Sequence, residues 1–61
     1  MYEELKGKKV KCVWKDGDDS KAVYGIVEDT DELSIKIITD KTNLPKRIFF
    51  NSMITLDEVS L

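Results

Sequence analysis

Three kinds of side chain in this sequence can do chemistry: one thiol, a crowd of lysines and two clusters of carboxylates. Cys12 lies between Lys11 and Val13, and a neighbouring ammonium can lower a thiol's pKa. Lys6, Lys8, Lys9, Lys11 and Lys15 fall in one short N-terminal stretch, the arrangement that would face an anionic partner. The acids gather in "DGDD" at 16–19 and "EDTDE" at 28–32.

What these groups lack is partners for catalysis. With no histidine in the chain, the commonest general base, the usual zinc sets and the Ser-His-Asp arrangement are all missing. Cys12 is the single cysteine, so it forms no internal disulfide and no cysteine-based metal site. Its parity with Val10 and Trp14 predicts a core thiol instead. Asp16, Asp18 and Asp19 offer oxygens to a cation, but a calcium loop of the EF-hand kind needs twelve residues and a closing Glu. Gly7, Gly17 and Gly25 are spaced for turns and a bend, not for a phosphate loop. The expectation is a protein that is not an enzyme and uses no cofactor and no metal. The aromatics Tyr2, Trp14, Tyr24, Phe49 and Phe50 alternate between faces, which does not make a cage for a cationic ligand.

The elements that position these groups read as strands. "KKVKCVWK" (8–15) alternates, with Val10, Cys12 and Trp14 on one face and Lys9, Lys11, Val13 and Lys15 on the other. "DGDDS" (16–20) supplies hairpin turn chemistry. "KAVYGIVE" (21–28) is apolar on both faces, with Ala22, Tyr24 and Ile26 on one and Val23 and Val27 on the other. Gly25 in its middle predicts a bulge, a sharp bend or a close backbone approach. "LSIKIIT" (33–39) follows the acidic turn and places Leu33, Ile35 and Ile37 on the core side. "KRIFFN" (46–51) follows a polar loop that Pro45 ends, with Ile48 and Phe50 inward and Arg47 and Phe49 outward. "SMI" (52–54) predicts one 3-10 turn, and "TLDEVSL" (55–61) a short last strand held by Leu56 and Val59. Residues 2–6 have room for a single helical turn.

Sixty-one residues make one domain, predicted over 1–61. The apolar share, 41%, is enough for one core, while the formal charge of −2 is unlike the basic balance of most dedicated nucleic-acid binders. No apolar run reaches the ~18 residues of a membrane span, and the start, "MYEELKGKK", does not read as a leader. A reduced, cytoplasmic chain is expected.

Five short strands separated by turns predict an all-β, antiparallel fold. In the order "KKVKCVWKDG", "AVYGIVEDTDELSIKI", "KRIFFNSMITLDEV", residues 6–60 resemble the Sm-like (Hfq-type and Sm-type) family and, more broadly, small barrels of the Src-homology-three type. The resemblance implies a small, strongly bent five-stranded barrel with Gly25 in the bent second strand and a 3-10 turn before the last strand. It also implies ring or dimer formation through the fourth and fifth strands. The base-contacting Asn of Sm proteins has no counterpart in "EDTDELS", and the basic final motif of the family is replaced by Phe50, Asn51 and Ser52. Of the family's site, the resemblance carries over Asn51 alone, as a hydrogen-bonding group.

Two functions follow as expectations. The first is a protein-binding or assembly module, with Val13, Ile38 and Phe49 as an exposed apolar interface with a protein partner or a second copy. The alternative is single-stranded RNA binding through Lys6, Lys8, Lys9, Lys11, Lys15, Lys46, Arg47 and Asn51.

Overall fold

The computed structural model describes residues 3–59. A 3-10 turn at Glu3–Leu5 leads into β1 (Lys9–Asp16), β2 (Asp19–Thr30), β3 (Ser34–Thr39) and β4 (Pro45–Phe49). A second 3-10 turn at Phe50–Ser52 then redirects the chain into β5 (Met53–Glu58). All pairings are antiparallel and the sheet order is β4-β3-β2-β1-β5. The all-β, five-stranded architecture is thus as expected, as is a 3-10 turn before the last strand, placed two residues earlier than predicted.

The expected barrel is not closed. β4 and β5 are the two edges of one sheet and share no ladder. The sheet is nevertheless strongly curled. Lys46 on β4 lies 5.1 Å from the ring centre of Trp14 on β1, although β2 and β3 separate those strands in the sheet.

The inner face of the curl is the core. Val10, Cys12, Val27, Ile35, Ile37 and Ile48 are buried, and Leu5, Trp14, Val23, Phe50, Met53 and Leu56 pack around them. Each buried Val or Ile side chain contributes about 1.5–3 kcal/mol relative to exposure. Alternation therefore located most of the core. Leu33 is a correction: β3 begins one residue later, so Leu33 sits in the turn, 70% exposed, and Ser34 is buried instead. Val59 lies past the end of β5, where its amide donates to the Lys9 carbonyl at 2.9 Å. The predicted contribution of Tyr2 to the first turn, and the last two residues of the predicted fifth strand, lie outside the described residues.

β2 is the longest strand, and two devices shape it. The β1–β2 turn is a two-residue loop, Gly17–Asp18, closed by the Asp16–Asp19 pair. Gly17 has φ +66°, the positive value that a type II′ hairpin asks of its first central residue. The bulge in β2 falls at Glu28, where the register against β3 shifts between Val27 and Asp29. Gly25 is not that bulge. A Cβ there would stand 2.2 Å from the Ile38 carbonyl oxygen and 2.6 Å from Cγ2 of Ile37, so its role is the close approach of β3 to β2.

Candidate functional site

Pairing register builds the outer face row by row. Pro45, Ile38, Ile26 and Lys9 form one row across β4, β3, β2 and β1. Tyr24 faces Lys11 and Asp57 in the next, and Ala22 faces Val13 and Thr55 in the third. The side of β2 expected to help line the core is thus partly open: Tyr24 is 46% and Ile26 39% exposed. The pattern had a signal for this, because Tyr24 and Ile26 stand opposite lysines that must reach water.

Of the three residues expected to form an apolar interface, Val13 and Ile38 share this face, both half-buried, with Ile26 beside Ile38 in its row and Tyr24 in the row between. Phe49 is not with them. It is 55% exposed at the far end of β4 opposite Ser34, beyond the Lys36–Arg47 row, and the Leu33 carbonyl there accepts from the next residue, Phe50.

A polar belt fills that gap. Asp31 Oδ1 accepts from the amides of Leu33 and Ser34, both at 2.8 Å, while Oδ2 meets Arg47 Nη1 at 3.1 Å. Arg47 also donates to Ser34 Oγ at 2.7 Å. The amide of Leu33, then that of Ser34, holds the Asp31 carboxyl below its ordinary pKa, with the Arg47 charge adding to this. Beside it Lys36 pairs with Glu28 at 3.2 Å. Asp31 thus organises the β2–β3 turn.

The cations expected to contact nucleic acid are dispersed and mostly occupied. Lys6 pairs with Asp29, Lys8 with Glu58 at 3.8 Å, and Lys9 with Asp40 at 2.7 Å. Lys11 lies 5.7 Å from the ring centre of Tyr24 on the outer face, while Lys46 caps Trp14 on the inner one. Lys46 and its neighbour Arg47 therefore point to opposite faces. Lys15 is exposed with no ion pair among the described residues, and Asn51 is exposed in the second 3-10 turn. No single stripe gathers these groups. Exposed ion pairs are individually weak, yet each sets an anion beside a cation that phosphate would have to win.

Beside the outer face lies an open groove of about 580 Å³. Ala22, Val23 and Tyr24 form one wall, and Thr39, Lys41 and Lys46 the other. Sequence reading missed it, because its walls come from β2 on one side and from the end of β3, the β3–β4 loop and the start of β4 on the other, which only the curl brings together. Asn43 turns that loop with φ +57°, and its amide donates to the Thr39 carbonyl at 2.9 Å. Cys12 plays no part in either surface: it is fully buried, and burial pushes its thiol up to about 11. Among the described residues no group of His, Cys, Asp or Glu has the arrangement of a metal site, and no helix is long and apolar enough to cross a membrane. Comparison with family models, curated proteins and solved structures finds no match.

Proposed function

We propose that this chain is a non-enzymatic interaction module that binds protein through the outer face of its sheet. One observation carries the reading. Tyr24 and Ile26 are exposed next to half-buried Ile38, on a face where Lys9 is matched by Asp40, Lys36 by Glu28 and Lys11 by the Tyr24 ring, with Lys15 exposed at the hairpin end. Apolar area at the centre with charge at the rim is the composition of a protein-binding patch. The strand order, with a 3-10 turn before the last strand, supports the Src-homology-three and Sm-like resemblance. A free, buried thiol fits a reduced, cytoplasmic setting.

RNA binding is the competing reading, and Lys11 over the exposed ring of Tyr24 is the observation in its favour, since bases stack on such rings. Two sets of variants separate the two. Ile26→Lys with Ile38→Lys should abolish capture of a protein partner while circular dichroism stays native. Lys9→Gln, Lys11→Gln and Lys15→Gln together should leave that capture intact. The protein reading is overturned if short oligouridine binds at low salt, weakens steeply as salt rises, and is lost with the lysine set.

A further inference from the structure

Apart from the outer face, the backbone of β2 offers a second surface. β2 pairs with β1 from Asp19 to Ile26, but with β3 only from Gly25 onward. Over residues 19–23 its β3-side edge has no strand beside it.

The direction of the backbone groups on that edge follows from alternation. The Tyr24 carbonyl accepts from the Asp40 amide at 2.9 Å, on the β3 side. Val27, of the opposite parity, donates to the Lys8 carbonyl on the β1 side. With a period of two, Ser20 and Ala22 aim their N–H and C=O at the open edge, along the wall of the groove. Four backbone groups are thus left to water at a site shaped to receive an extended chain.

The charges around this edge are self-complementary. The groove lining carries Lys41 and Lys46, neither in an ion pair among the described residues, and Asp40, which is taken by Lys9 at 2.7 Å. The hairpin tip carries Asp18 and Asp19, while Asp16 is taken by Lys21 at 2.8 Å. A two-fold axis reverses the second copy, so its acidic tip falls against the lysines of the first.

We propose that two copies of this chain pair antiparallel through the free edge of β2, about an axis at Lys21. Ser20 then pairs with Ala22 of the second copy, and Ala22 with its Ser20, which uses all four backbone groups of each chain. The two Lys21 side chains meet at the axis, each already neutralised by its own Asp16. The outer edges of the sheet are less suited. β4 opens with Pro45, which has no N–H, and continues with Lys46 and Arg47; β5 is bulged at Ile54 and ends on Asp57 and Glu58. The ribbon is short, so the dimer is weak and depends on concentration.

Sedimentation equilibrium from micromolar to millimolar protein tests this, with amide shifts followed over the same range. The expected result is a monomer–dimer equilibrium that weakens with salt, with concentration-dependent shifts centred on Ser20 and Ala22. Lys41→Glu with Lys46→Glu should weaken it at least tenfold, and adding Asp18→Lys with Asp19→Lys should restore it. Circular dichroism confirms that each variant folds. A monomer at every concentration overturns the proposal, as does a dimer whose shifts map to β4 and β5 or that ignores the charge reversals. If Ser20 and Ala22 shift only when an acidic extended peptide is added, the edge belongs to a different chain and self-pairing is wrong. A monomer would leave the protein-binding reading untouched, since that rests on the separate loss of capture by the Ile26 and Ile38 variants.

Discussion

Gly25 shows how one residue sets the geometry of this sheet. Its φ is not of the left-handed kind, so conformational freedom is not what requires glycine. Space is: a methyl group would meet the backbone oxygen of Ile38, which cannot rotate away as a side chain can. Overpacking of a tight core costs about 1–3 kcal/mol, and a backbone obstacle puts Gly25→Ala at the upper end. For a domain whose whole stability is of the order of 3–9 kcal/mol by its length, that is a large share. Urea denaturation should show a clear drop in midpoint with an unchanged slope; an unaltered midpoint would mean that β3 can shift to make room. The glycine itself was legible as a bend or a close approach. Which of the two it was depended on Ile37 and Ile38, brought beside it by pairing.

At the scale of elements, the β2–β3 turn is the most closely tied connection. Asp31 accepts from two backbone amides and from Arg47, joining β2, β3 and β4 at one carboxylate. Those bonds lower its pKa in the folded state. The sign of the linkage follows: their contribution is complete above the ordinary value of 3.8 and is lost as pH falls through the depressed folded value. Asp31→Ala should therefore lower the melting temperature at neutral pH. It should also flatten the decline expected of the wild type on acidification below about pH 4. Equal melting temperatures for the two proteins at neutral pH would show that the turn holds without its carboxylate. The acid-rich turn was plain in the sequence. That Asp31 would fold back over the turn to cap it, and leave Leu33 out in water, was not, because the strand begins one residue later than the apolar alternation implies.

The whole molecule is an open, curled sheet with its best-protected residues at the centre and its loose ends at β4 and β5. Hydrogen exchange should follow this order. Amides of Val10, Val27, Ile35 and Ile37 lie on core-facing residues of the three inner strands and should exchange most slowly. Amides of β4 and β5 that point away from their single neighbours should exchange fastest. Comparable slow exchange along β4 and β5 in dilute solution would mean that these edges are paired, as in a closed barrel. The groove beside β2 belongs to this scale as well. β2 runs on for several residues beyond the end of β3, and the β3–β4 loop folds back toward the strand it leaves behind.

What the sequence determined by itself was the alternation of Val10, Cys12, Ile35, Ile37 and Ile48, the turn residues between them, and hence five antiparallel strands around one core. Those signals are local, because a strand's two-residue period and a hairpin's glycine act within a few positions. What the tertiary structure decided was every relation across the sheet. It separated Phe49 from Ile38, tied most of the lysines to acids or rings, turned Lys46 and Arg47 to opposite faces, and left an edge of β2 open beside a groove. Such relations depend on register and curl, which place residues distant in the chain against one another, and a one-residue slip of register would exchange the faces.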